Sequence, residues 1–307
     1  MPNLSVILVC YKMADQIGNT MESLRAPYQK EIENDEVEIL LVDNGSPEPL
    51  DEGIWSGMTN VTYISLPPSE ARPSPAQAIN RAVSRASAGN LCIMIDGARM
   101  VSPGTLHWGL RLLELSALAF VEVRGWHLGP KWQPESIMEG YNHERETQLL
   151  KDIRWRENGY RLFDIAADTP QTKLGLSVPA AESNCFFISR ELFDRLGGFD
   201  ERYDAPGGGL VNLDFYARAV AAADQVWTVL GEGTFHQVHG GAATGLAAPD
   251  LRQALVRWRR ESEEFRGRLP ILDKNKFALA GHLPEEFCRW LSRHEAAVTR
   301  LPDKVLN

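Results

Sequence analysis

The chain has 307 residues, of which 44% are hydrophobic and 24% charged. That balance is ordinary for a globular protein and excludes a disordered or fibrous one. Thirty-two Lys+Arg against 41 Asp+Glu leave a formal net charge of −9, which argues against a general nucleic-acid binder but not against a small anion held by a few local positive groups.

The length allows one large domain, or one domain plus an appendage. Leu4–Cys10 is a short β-branched apolar run, the pattern of a buried strand. Helix is expected around Met13–Leu24. Val37–Val42 reads as a second strand, stopped by the turn formers Asp43-Asn44-Gly45-Ser46. Val61–Leu66 is a third strand. Pro75–Ser87 reads as a helix with proline in its first turn. Leu91–Ile95 is a fourth strand, ending at Asp96-Gly97. Leu106–Leu115 reads as helix and Ala119–Val123 as strand. Strands separated by helices at this spacing imply crossover units and a mostly parallel sheet.

The stretch from Trp126 to Leu176 reads as irregular and polar, either a cover over a substrate or an insertion. Regular pattern resumes with a strand at Asn184–Ile188, a helix at Arg190–Leu196, a helix at Leu213–Ala222 and a strand at Gln225–Leu230. From Asp250 the chain reads as largely helical and charged. Its run LVRWRRESEEFRGR is expected to be a solvated amphipathic helix. Three of the four cysteines (Cys10, Cys92, Cys185) sit in apolar runs, the pattern of reduced, buried thiols; Cys288 is the fourth. The N-terminus lacks a basic leader region, and no stretch reaches the roughly 18 apolar residues of a membrane span. A cytoplasmic protein is the expectation.

Ligands of open parallel sheets bind at the C-terminal ends of the strands. Here those ends carry Cys10-Tyr11, Asp43-Asn44 and Asp96-Gly97. A single Asp at such a place serves equally well as a turn or helix cap. Two on one edge favour a ligand site.

Four blocks carry a resemblance to a known family. They are SVILVCYKM, EILLVDNGS, PAQAINRAVSRASAGNLCIMIDGARMVSPG and NCFFISRELFDRLGGFDERYD. In this order they resemble the family 2 glycosyltransferases, whose fold is called GT-A. The resemblance spans roughly residues 1–245. It implies an α/β fold with a mostly parallel central sheet flanked by helices; the helical pattern beyond it is expected to form an extension over 246–307 packed on this domain. It also implies transfer of a sugar from a nucleoside-diphosphate donor to an acceptor hydroxyl, with inversion. The family's roles fall on Tyr11 beside base and ribose, on Asp43 at the nucleobase with Asn44 next to it, and on Asp96 as first carboxylate of an Asp-x-Asp motif. That motif holds ribose and a divalent metal, Mn²⁺ or Mg²⁺. Arg72 follows the third strand on the same edge and can reach the donor, although an exposed loop arginine is the plainer reading.

The sequence departs from the family twice. The motif reads Asp96-Gly97-Ala98-Arg99, so the second carboxylate is Ala98. Either Arg99 pairs with the diphosphate in place of part of the metal's role, or Asp96 shares a metal with a histidine. The candidates are His236 and His239, in GEGTFHQVHGGAATG, where the amides of Gly240 and Gly241 can also approach an anion. The family's Glu-Asp pair, which supplies the base, aligns with Val211-Asn212, and an Asn cannot act as a general base. Asp214, Asp204 and Glu232 remain as candidates. Asp214 also reads as an i,i+4 ion pair with Arg218, and Gly207–Gly209 reads as a loop at the acceptor. With two carboxylates replaced, a second possibility is a catalytically degenerate protein of the same fold that binds a nucleotide sugar or a partner. A nucleotidyltransferase is a weaker third, because no Gly-rich phosphate loop follows the first strand.

Overall fold

The computed structural model describes residues 1–176, 179–180, 184–240, 248–267, 270 and 272–298. The strands are β1 (Leu4–Cys10), β2 (Val37–Asp43), β3 (Val61–Ser65), β4 (Asn90–Met94), β5 (Arg99–Val101), β6 (Ala119–Glu122), β7 (Gly125–Leu128), β8 (Ala166–Ala167), β9 (Cys185–Ser189), β10 (Gln225–Leu230), β11 (Thr234–His236) and β12 (Phe277–Gly281). The helices are α1 (Ala14–Ser23), α2 (Ala76–Arg85), α3 (Thr105–Leu113), α4 (Gln133–Met138), α5 (His143–Ile153), α6 (Arg190–Arg195), α7 (Val211–Ala222), α8 (Ala248–Arg266) and α9 (Glu285–Val298).

Among the described residues, eight strands form the central sheet in the order β12-β10-β6-β9-β4-β1-β2-β3. All neighbours are parallel except β9, which runs antiparallel to both β4 and β6. Every residue of β1 is buried, because both faces of the sheet are covered. Ile7 and Val9 point into a core shared with Ile79, Phe215 and Tyr216 of α2 and α7. Leu4, Val6 and Leu8 point the other way, against Ile17, Met21 and Leu110 of α1 and α3. Burial on alternate faces is why this strand reads as one continuous apolar run.

Two segments differ from the expectation. The Trp126–Leu176 stretch is ordered rather than irregular. It contributes β7, α4, α5, the 3₁₀ turn Gly159–Ile165 and β8. Its aromatics fill a third core under a smaller sheet, β5-β11-β7-β8, where Trp126, Trp155 and Phe163 pack with Phe235, Phe287 and Trp290. The charges of α5 other than Glu146 face solvent and mask its few buried apolar positions. The C-terminal segment is not wholly helical. It adds β12 to the edge of the main sheet, parallel to β10, and α9 lies on the third core. Cys10, Cys92 and Cys185 are buried and unbridged. Among the described residues no helix is long and apolar enough to cross a membrane.

Candidate functional site

Because β1, β2 and β4 are parallel neighbours, their C-terminal ends share one edge. Asp43 ends β2 opposite Cys10. It is almost fully buried. Its Oδ1 accepts from the Ser46 amide at 2.9 Å, and the Tyr63 hydroxyl donates to Oδ2 at 3.2 Å. The Asn44 amide donates to the Cys10 carbonyl at 2.9 Å, and its side chain donates to the Arg72 carbonyl at 2.9 Å. That bond draws the loop after β3 to the same edge, with the Arg72 side chain exposed. Tyr11 stands at the rim, 47% exposed, with the Lys12 ammonium 5.2 Å from its ring centre.

Asp96 follows β4 by two residues. Its neighbour Gly97 is required by space, since a Cβ there would lie 2.7 Å from the Cys10 Cβ. The Ala98 amide donates to Asp96 Oδ1 at 3.0 Å, and the Thr20 hydroxyl of α1 donates to the Gly97 carbonyl at 2.7 Å. The end of β11 and the loop after it bring two histidines to this carboxylate. His236 Nε2 is 2.9 Å from Asp96 Oδ2, His239 Nε2 is 3.8 Å from Oδ1, and the two Nε2 atoms are 3.1 Å apart. Ligand atoms of all three residues lie within 4.8 Å of one another. Helix α1 also holds the histidine loop, through Gln16 Nε2 donating to the Val238 carbonyl at 2.8 Å. Arg99 is buried in β5 with its Nε 3.6 Å from Asp96 Oδ2.

Gln133, which no motif announces, sets the state of His236. Its amide NH₂ donates to the His236 carbonyl at 2.8 Å, which can only accept. The Gln133 oxygen therefore faces His236 Nδ1, at 2.5 Å, and Nδ1 carries the proton. In the neutral ring Nε2 then presents a lone pair. Burial pushes the His236 pKa down to about 4 in spite of Asp96, so the ring is neutral near pH 7. Burial alone would raise the Asp96 pKa, but His236 and His239 hold it well below the ordinary carboxylate value. His236 Nε2 and Asp96 Oδ2, 2.9 Å apart, therefore need a proton or a cation between them. A proton on His239 can satisfy the contact between the two histidines but not that one. The donor set suits a cation, and the buried glutamine is the kind of outer partner that fixes a ligating histidine.

Glu146 on α5 holds the backbone between the two histidines. Both of its oxygens accept from the Val238 amide, at 3.0 and 2.9 Å, and the Tyr141 hydroxyl donates to one of them at 3.1 Å. Burial raises its pKa to about 8. The folded value lies above the ordinary 4.5, so the stability linked to this proton is complete below that value and is lost as pH rises through about 8. Glu146→Gln keeps an acceptor for Val238 and removes the proton. We expect the slope of unfolding free energy between pH 5 and 9 to flatten by up to about 1.4 kcal/mol per pH unit. Chemical denaturation across that range measures it, and an unchanged slope would refute the assignment.

Among the described residues, no hydrogen bond or ion pair links the base candidates to Asp96, His236 or His239. Asp214 is fully buried, with Arg218 Nε on one oxygen and Arg266 Nε on the other, each at 2.9 Å. Both oxygens face guanidinium groups, which tie α7 to α8. Glu232 is also fully buried. It accepts from Ser102, from Tyr160 at 2.7 Å and from the Gly104 amide at 3.1 Å, and meets His282 Nε2 at 2.5 Å. It ties the C-terminal segment to α3. Asp204 is exposed, beside the Gly207–Gly209 turn. That turn packs on the loop after β3, the Gly207 amide donating to the Pro73 carbonyl at 3.0 Å. Asn212 is buried and donates to Asn184 Oδ1 at 2.9 Å. Gly240 is exposed, and Gly241 lies outside the described residues.

Sheet order, strand ends and the flanking helices define the class: this is the GT-A fold of glycosyltransferases. Similar solved structures include S. aureus TarS 1–349 in complex with UDP-GlcNAc, at 14% identity and a TM-score of 0.55, covering 96% of this chain and 73% of that one. Another is the mannosyltransferase PcManGT from Pyrobaculum calidifontis in complex with GDP-Man and Mn²⁺, at 16% identity and a TM-score of 0.51, covering 97% and 70%. No protein-family profile and no curated protein matches the sequence.

Proposed function

We propose that the chain is a glycosyltransferase that uses a nucleoside-diphosphate sugar and Mn²⁺, working in the cytoplasm. The observation that carries this is the convergence of Asp96, His236 and His239 on the strand edge that also holds Asp43. One carboxylate with two imidazoles suits Mn²⁺ better than Mg²⁺, which prefers oxygen ligands alone. When bound, the ion neutralises charge that builds on the leaving diphosphate. Its liganding by histidines makes up for the missing carboxylate at Ala98.

In this reading Asp43 accepts an N–H from the nucleobase and Tyr11 lies along base and ribose at the rim. The exposed guanidinium of Arg72 faces the phosphates from the neighbouring loop. Arg99 and the Ala98 amide keep the Asp96 carboxylate aimed. Asp204, the accessible one of the three carboxylates, takes the proton of the acceptor hydroxyl, which attacks the anomeric carbon from the side opposite the diphosphate and inverts it. Asn212 and Ala98, standing where the family has carboxylates, favour a second reading: donor binding without turnover.

Titration calorimetry with UDP-GlcNAc and GDP-Man, with and without Mn²⁺, separates these. We expect one donor to bind in a Mn²⁺-dependent manner, at least tenfold more weakly to Asp43→Ala, and to be slowly hydrolysed. Binding with neither hydrolysis nor transfer supports the second reading. No binding of any donor would sink both.

A further inference from the structure

A cleft of about 640 Å³ opens behind the histidine loop, between α5, α9 and the ends of β7 and β8. Its size is that of a small-molecule site. Leu149 and Ile165 give it an apolar wall, and Tyr141 gives it a ring. Tyr141 reaches its place because residue 129 is glycine: φ there is +118°, and a Cβ would lie 2.8 Å from Tyr141 Cζ.

The lining holds two acids and two arginines, which do not pair with one another. Its two acids are engaged with cations: Glu139 with Lys131 at 2.6 Å, and Asp164 with Arg289 at 3.4 Å and Arg161 at 3.7 Å. Its two arginines are not matched in this way. Arg145 donates to the Glu139 carbonyl at 3.4 Å and Arg293 to the Phe163 carbonyl at 3.1 Å. Neither has a carboxylate within ion-pair distance among the described residues. Two guanidiniums without counter-charge therefore line a cleft in a chain of net charge −9. Guanidinium forks match carboxylate and phosphate groups.

The cleft is also wired to the proposed metal site. The Tyr141 hydroxyl donates to Glu146, Glu146 accepts from the Val238 amide, and Val238 lies between His236 and His239. A ligand that shifts the Tyr141 ring shifts the partner that fixes this loop.

We infer that the cleft binds a small organic anion, its phosphate or carboxylate on Arg145 and Arg293 and its body against Tyr141, and that its occupancy changes cation affinity at Asp96, His236 and His239. The anion site stands on its own lining, while the coupling rests on the metal reading above. Coupling of this kind is reciprocal, so each ligand must change the affinity of the other by the same factor.

The test titrates the full chain with glucose 6-phosphate, glucuronate and, as neutral control, glucose, and then with Mn²⁺ in the presence and absence of the tighter anion. The two anions distinguish a phosphate from a carboxylate head. We expect at least one anion to bind tenfold or more tightly than glucose. The Arg145→Ala/Arg293→Ala double variant should lose that preference. The anion should change the Mn²⁺ Kd at least threefold, with the reciprocal effect equal. Tyr141→Phe, which keeps the ring and removes the hydroxyl, should still bind the anion but lose the coupling. Anion binding no better than glucose, or undiminished in the folded double variant, overturns the site. A Mn²⁺ Kd indifferent to bound anion overturns the coupling. No Mn²⁺ binding at all overturns the coupling together with the metal reading, while the anion titration still decides the cleft.

Discussion

Asp96→Asn is expected to lower glycosyl transfer and donor hydrolysis by at least about 10²-fold, the scale of losing one preorganised group that stabilises transition-state charge. The substitution is conservative in shape. Asparagine Oδ1 can still accept from the Ala98 amide, which now donates to Asp96 at 3.0 Å, so the turn at Gly97 keeps its geometry. What is lost is charge. Asp96 is the carboxylate of the Asp96–His236–His239 group, and Ala98 cannot replace it. Two neutral imidazoles bind a divalent ion far more weakly than they do with a carboxylate beside them. Mn²⁺ titration and donor turnover should therefore fall together while the circular dichroism spectrum stays that of the parent. If turnover persists with Mn²⁺ binding abolished, the cation is not part of the reaction. If both persist, the site is elsewhere.

What was legible in the sequence follows from how locally each feature is encoded. β1 and β10 could be read with their observed bounds, Leu4–Cys10 and Gln225–Leu230, because their own residues supply β-branched apolar runs. Asp43 and Asp96 were legible because a parallel sheet puts its strand ends on one edge. The histidines were legible by their place after β10. The rest depends on contacts that no local pattern carries. Gln133 meets His236 across 103 positions, and Glu146 meets Val238 across 92. β5 and β11 are three residues each, too short for an alternation to register. Their pairing places Arg99 opposite His236 and buries an arginine that reads as solvent-facing or diphosphate-binding. β12, with the sequence Phe-Ala-Leu-Ala-Gly, has alanines that suit a helix as well as a strand. Only the open edge beside β10 decides the matter.

Asp214 and Asp204 are separated by a paired experiment whose outcomes run in opposite directions. Asp214→Ala is expected to cost about 3 kcal/mol of stability, toward the low end for breaking a buried ion pair. The figure is low because its partners Arg218 and Arg266 keep 15% and 30% of their side-chain surface exposed, and solvent screens what they lose. The cost arises because Asp214 joins three elements. Arg218 also donates to the carbonyls of Leu196 and Gly198, at 2.9 and 3.0 Å, and Arg266 also pairs with Asp200 at 2.6 Å. The carboxylate thus clamps α7 to the turn after α6 and to α8. Denaturant unfolding should show the loss, while turnover per folded molecule at low temperature stays within a few-fold of the parent. Asp204→Ala should do the reverse, because an exposed carboxylate contributes little to folding yet is the group proposed to take the acceptor proton. A stable Asp214→Ala variant without turnover would make Asp214 the base after all. An Asp204→Ala variant of full activity would remove Asp204 from the reaction. Deprotonation of the acceptor would then have to be handled by solvent or by another residue, and the case for donor binding without transfer would gain from Asn212.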